Sequence, residues 1–214
     1  MSSSTPGFRM EERRAQDLRR LPAGSYLVHA TNCLGSWGAG VAREISEVFP
    51  GAYARYRGFC MGPEHSGPGG HQQQHASRDL AGRCLIIPPQ REDYAGAGAP
   101  EVSVVCLFTS YGYGRRTPAK PGRDPKGLIR VQTARALSHF RSQLCGEEPE
   151  DDNGSSGEEG EGEARSGRKR PGDGLAIYSP KFNSGFFRVP WEETVGQIRE
   201  AFEGCEGTWT VLTL

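Results

Sequence analysis

His29 and Asn32 stand three residues apart, directly ahead of Gly35, Gly38 and Gly40. Imidazole titrates near neutral pH, so it can activate water or protonate a leaving oxygen. Glycines let a backbone approach a phosphate closely. The surrounding pattern supports that chemistry. Residues 26–30 are an apolar run of the kind a buried strand shows. Val41, Ile45, Val48 and Phe49 then recur at helical spacing over 41–49. The unit is strand, glycine loop, helix. Backbone N–H groups at such a helix start lack partners, and the helix dipole favours an anion there. The spacing predicts a phosphate-binding loop at the carboxyl end of a strand. A P-loop would need a lysine and a hydroxyl where Val41 and Ala42 stand. The dinucleotide fingerprint, read from Gly38, meets Arg43 at its last position.

The elements that must position this loop are modest in number. The chain has 214 residues, which suits one domain. Its 35% apolar content, with 30 Gly and 15 Pro, predicts one core and long loops. Lys plus Arg and Asp plus Glu are 26 each, so no general attraction to nucleic acid or membrane is expected. Cys33, Cys60, Cys84, Cys106, Cys145 and Cys205 are far apart, with no Cys-x-x-Cys. No charged-then-apolar leader and no apolar run of membrane length is present. An intracellular protein of the cytoplasm or nucleus, with buried thiols, is expected.

Residues 1–14 read as a flexible polar tail. A turn at Pro22, Gly24 and Ser25 launches the first strand. A second helix over 52–60 carries Tyr53, Tyr56 and Phe59, expected to pack in the core or at its rim. His65, His71 and His75 suggest a metal site, but the surrounding glycines and prolines argue for a solvated loop, so no metal is expected. Residues 83–87 and 102–109 read as buried strands. The loop at 110–116, with two tyrosines and two arginines, leaves a strand end and is a candidate lid. A helix over 128–144 should bury Leu128, Val131, Ala134, Leu137 and Leu144. Residues 146–174, acidic and then basic, are expected to be a disordered insertion. A strand over 175–179, a second glycine loop, a helix over 192–202 and a last strand over 209–214 close the domain at 15–214.

His29, Asn32, Cys33, Gly35, Ser36, Trp37, Gly38 and Gly40 match the pattern His-x-x-Asn-Cys-x-Gly-Ser-Trp-Gly-x-Gly. Asn183, Ser184, Gly185, Phe187, Val189, Pro190 and Trp191 match Asn-Ser-Gly-x-Phe-x-Val-Pro-Trp. On both stretches the chain resembles the macrodomain family, and within it the fungal ADP-ribose 1''-phosphate phosphatases. The resemblance implies a three-layer α/β/α fold with a mixed central sheet. It implies no cofactor and, as ligand, a small-molecule ADP-ribose derivative. Nucleic acid and membrane are not expected partners; ADP-ribosylated proteins are a further partner class. Asp17 would meet adenine, with its neighbours Gln16 and Leu18 also among the substrate-binding residues. Asn32 would bind the distal ribose and Gly38, Ala39, Gly40, Val41 and Ala42 the phosphates, with Ala30, Thr31 and Trp37 as further substrate-binding residues. Asn183, Ser184, Gly185, Phe186, Phe187, Arg188 and Val189 would hold the diphosphate from the other side.

The activity this implies is metal-independent hydrolysis of ADP-ribose 1''-phosphate, with His29 and Asn32 as catalytic candidates. In a regular strand, His29 falls on the face opposite Asn32. Two alternatives remain open. One is removal of ADP-ribose from proteins, for which relatives use a lysine and an aspartate where Ser110 and Phe187 stand. The other is a reader that binds ADP-ribose without turning it over.

Overall fold

The computed structural model describes residues 7–14, 17–62, 78–145 and 174–213. The elements are β1 (Phe8–Arg14), β2 (Tyr26–Asn32), α1 (Gly40–Val48), α2 (Pro50–Met61), β3 (Cys84–Ile87), β4 (Ser103–Ser110), α3 (Lys126–Cys145), β5 (Leu175–Pro180), α4 (Trp191–Ala201) and β6 (Gly207–Thr213). The strands form one mixed sheet in the order β1-β6-β5-β2-β4-β3. All neighbours run parallel except β3, which is antiparallel to β4.

Alternation along β4 shows how the layers are built. Val104, Cys106 and Phe108 join α1 and α2 on one face, with Ile45, Val48, Ala52 and Tyr56. Val105 and Leu107 join α3 and α4 on the other, with Ala136, Leu137, Phe140, Ile198 and Phe202. Successive side chains of a strand point to opposite faces. A strand covered on both faces therefore reads as one continuous apolar run.

Two sequence expectations are corrected. Residues 8–14 are not a tail but β1, paired in parallel with β6 along its whole length. A charged segment can be a strand at a sheet edge, because backbone pairing holds it and charges discourage further pairing. Its apolar face is only Phe8 and Met10, and Phe8 stacks on Phe202 at 5.3 Å. Its acids bind along the edge: Thr210 Oγ1 donates to Glu11 and Thr213 Oγ1 to Glu12. The second correction concerns α3. Its buried face is Ile129, Gln132, Thr133, Ala136, Leu137 and Phe140. Leu128 and Val131 are 43% and 50% exposed. Leu137 and Leu144 pack inward as expected, but Leu128, Val131 and Ala134 face outward, about 100° around the helix from the buried Ile129, Gln132 and Thr133. Residues 1–6, the histidine-rich stretch 63–77 and the insertion at 146–173 lie outside the described residues.

Candidate active site

β2 sits between β5 and β4, so the loops that leave these three parallel strands emerge at one sheet edge. The β2–β5 ladder stops after Tyr26–Ile177 and Leu27–Tyr178. Beyond that the two strands part, and a cleft of about 700 Å³ opens above them. This is the crevice at the carboxyl ends of strands where open α/β sheets bind ligands.

The first wall is the loop from Asn32 to α1. The Asn32 carboxamide folds that loop: its oxygen accepts from the N–H of Leu34 at 2.9 Å and of Ser36 at 3.4 Å, and its nitrogen donates to Ser36 O at 2.7 Å. One carboxamide N–H is left over for a ligand. Ala39, the residue capping α1, offers no side-chain acceptor, and the first helical turn holds no acid. Its backbone N–H groups therefore face the cleft without a side-chain partner. Gly40 has φ +57°, a conformation that favours glycine.

The second wall is the loop after β5. Asn183, also in the left-handed region, is only 4% exposed. Its oxygen accepts from Thr109 Oγ1 at 2.9 Å and its nitrogen donates to Thr133 Oγ1 at 2.8 Å. This carboxamide ties the loop to β4 and α3. Phe186 is 63% exposed and overhangs Gly40, so its ring spans the gap between the two loops.

Most of the expected residues converge. His29, Ala30, Thr31, Asn32, Trp37, Gly38, Ala39, Gly40, Val41 and Ala42 line the cleft, as do Asn183, Ser184, Gly185, Phe186 and Phe187. Asp17, Leu18, Arg188 and Val189 do not. Leu18 and Val189 are buried in the core. The Asp17 carboxylate caps a short 3-10 turn, accepting from Arg19 N at 2.9 Å. Gln16 lies outside the described residues. Sequence reasoning missed Ser36, Pro180, Lys181, Phe182, Leu212 and Thr213 as lining residues, and placed Tyr113 and Gly114 only in a candidate lid. Leu212 and Thr213 carry no local signal, since only strand order brings β6 there. Lys181 had one: it follows a strand end. It pairs with Glu12 of β1 at 2.8 Å.

Comparison with known proteins follows this geometry. No protein-family model matches the chain. The ADP-ribose 1''-phosphate phosphatase of Aspergillus fumigatus is 34% identical over 198 residues, covering 86% of this chain and 86% of its own. A protein of the same name from Meyerozyma guilliermondii is 33% identical over 185 residues, covering 83% of this chain and 85% of its own. The chain belongs to the ADP-ribose 1''-phosphate phosphatase family. The fold is that of a macrodomain. The macrodomain of Thermus aquaticus DarG superposes with a TM-score of 0.54 at 20% identity, over 97% of this chain and 99% of that one. A macrodomain protein from Streptomyces coelicolor gives 0.52 at 15% identity, over 96% and 99%.

Within the macrodomain cleft the electrostatics are one-sided. No Asp or Glu lines it among the described residues. A carboxylate-free cleft with open N–H groups suits an anion. His29 lies at the inner wall of the cleft, packed rather than hydrogen-bonded among the described residues. Its ring is 1% exposed and meets Trp37 edge-on at 4.6 Å, and neither nitrogen has a hydrogen-bond partner among the described residues. Burial pushes its pKa down to about 3, so it is neutral at physiological pH. The ladder between β2 and β4 shifts register between Thr31 and Asn32. The irregularity falls after His29, whose ring packs on Trp37 in the layer of α1 and α2. Cys33 is buried as well, which pushes its thiol up to about 12.

Proposed function

We propose that this protein hydrolyses ADP-ribose 1''-phosphate to ADP-ribose and inorganic phosphate. The observation that carries the reading is the pair of glycine loops facing each other over a carboxylate-free cleft, one of them feeding the uncapped start of α1. The names of the relatives supply the substrate. In this reading the diphosphate lies between residues 38–42 and 183–187, and Asn32 offers its spare N–H to the distal ribose. Water attacks the terminal phosphorus and the bond to the anomeric oxygen breaks. Backbone N–H groups of the first loop stabilise charge that develops on the phosphoryl oxygens; such transfer depends chiefly on positioning and electrostatics. The leaving anomeric oxygen, less basic than an ordinary alkoxide because the ring oxygen withdraws electron density, takes up the proton that the attacking water gives up and becomes a hydroxyl. His29 serves by packing: it holds Trp37, and Trp37 in turn stacks on Tyr53 and Tyr56.

Removal of ADP-ribose from proteins is less well supported. Ser110 is buried and donates to Gly112 O at 2.8 Å, while Phe187 packs with Ile129 and Val189. Neither brings a charge to the cleft. No helix among the described residues is long and apolar enough to cross a membrane, and Cys33, Cys60, Cys84 and Cys106 are buried thiols, in keeping with a reducing intracellular compartment. The test is to incubate the pure protein with ADP-ribose 1''-phosphate and, separately, with an ADP-ribosylated protein. Phosphate from the first and no ADP-ribose from the second is the expected result. Binding of ADP-ribose with no turnover of either would make the protein a reader.

A further inference from the structure

The loop between β4 and α3 is built as a compact arm. Arg123 N donates to Gly114 O at 3.1 Å, and Thr117 and Lys120 exchange backbone hydrogen bonds at 3.0 and 3.2 Å. Its base is fixed by the buried Asp124 carboxylate, which accepts from Tyr111 N at 2.7 Å and Gln132 Nε2 at 3.2 Å. Tyr113 and Gly114, where the arm begins, line the cleft. Beyond them come Arg115, Arg116, Lys120, Arg123 and Lys126, with Asp124 the one acid between. None of these cations is in an ion pair with a described residue. Lys120 lies over the Tyr113 ring at 5.6 Å. Arg188 is exposed on the loop after β5, whose Phe187 and Val189 pack in one cluster with Ile129 and Tyr113. The whole chain is electrically neutral, so this concentration of positive charge is local.

Clustered like charges repel one another, and a rim of them focuses an attractive field on an anion at the cleft mouth. We infer that this basic rim sets specificity by charge, drawing the substrate into the cleft and holding the product less well; the inference rests on the phosphatase reading. Hydrolysis itself creates the contrast. A diphosphate diester carries one negative charge per phosphate, and a terminal phosphate adds about 1.5–2 more near neutral pH. ADP-ribose 1''-phosphate thus enters at about −4 and ADP-ribose leaves at about −2. Coulomb energy scales with ligand charge, so the rim acts about twice as strongly on substrate as on product.

The test is the double variant Arg115→Glu/Arg116→Glu, at exposed positions where folding should be untouched and Tm unchanged. At low ionic strength kcat/KM for ADP-ribose 1''-phosphate should fall about tenfold. The Kd of ADP-ribose should rise only about threefold, half the effect on a logarithmic scale. Above about 0.5 M salt, where the Debye length is a few ångströms, wild type and variant should converge. Arg199→Glu, on the exposed side of α4, changes net charge away from the cleft and should do nothing. Equal loss for substrate and product, an unchanged kcat/KM, or the same loss in Arg199→Glu would overturn the inference. If the wild type releases no phosphate, the phosphatase reading fails by itself. Calorimetric Kd values for the two ligands then make the same comparison and decide the rim's role.

Discussion

A methyl group at Gly40 tests the first loop more directly than any other change. Gly40 has φ +57°, where an L residue costs about 1–2 kcal/mol. A Cβ there would also lie 2.9 Å from Phe186 Cε2. That ring is 63% exposed, so it can swing aside, at about 0.5–1.5 kcal/mol for a strained rotamer. Gly40→Ala should therefore cost about 2 kcal/mol in all, a fall in Tm of about 4–8 °C for a domain of this size. The protein should stay folded. Its affinity for ADP-ribose should drop at least tenfold, about 1.4 kcal/mol, because the methyl occupies space a phosphate needs. Gly40→Glu, which adds like charge, should abolish binding. A cycle with Phe186→Ala separates the two costs. In that background Gly40→Ala keeps the backbone penalty and loses the ring penalty, a coupling of about 0.5–1.5 kcal/mol. The assays are thermal denaturation and titration calorimetry. Full ADP-ribose affinity in Gly40→Ala would remove the diphosphate from this loop, and strict additivity would mean that Phe186 does not stand over Gly40.

Other outcomes follow from the same geometry. His29→Phe keeps an aromatic edge against Trp37, so kcat should stay within a few-fold; a loss of about a hundredfold at unchanged affinity, the scale of general acid–base catalysis, would return the imidazole to the chemistry. Its burial also shapes acid stability. The folded chain refuses a proton until pH falls to about 3, whereas the unfolded chain accepts one below about 6.5, so stability should fall between those values by up to about 1.4 kcal/mol per pH unit. Tm measured at pH 7 and pH 4.5 should drop further in wild type than in His29→Phe, and equal drops would contradict the burial. Asn32→Ala frees both the Leu34 and Ser36 N–H groups, so affinity and turnover should fall together; a normal kcat would show that the loop holds its shape without it. Deleting residues 147–170, whose composition resists burial, should leave Tm and ADP-ribose affinity little changed. Phosphate release should continue in excess chelator, since in this reading backbone N–H groups supply the charge stabilisation.

The sequence by itself determined the parts that local physics specifies. The apolar runs of β2 and β4 announce strands buried on both faces. The glycines before α1, and the Asn-Ser-Gly stretch after β5, mark where backbone rather than side chain meets ligand. Most of the cleft lining was legible on that basis. The tertiary structure decided what depends on neighbours distant in the chain. β1 is a strand because β6 offers it a backbone edge, which its charged residues give no sign of. The buried face of α3 is set by where the sheet lies, and one residue of phase moves every side chain by about 100°. Asn183 lines the cleft, but its carboxamide is anchored by Thr109 and Thr133, 74 and 50 residues away, which no local pattern announces. His29 has the chemistry of a catalyst in the sequence, and only the fold shows its ring buried edge-on against Trp37. Residue type fixes what a side chain can do, while burial and partners fix what it does, and those arise only when separate segments pack together.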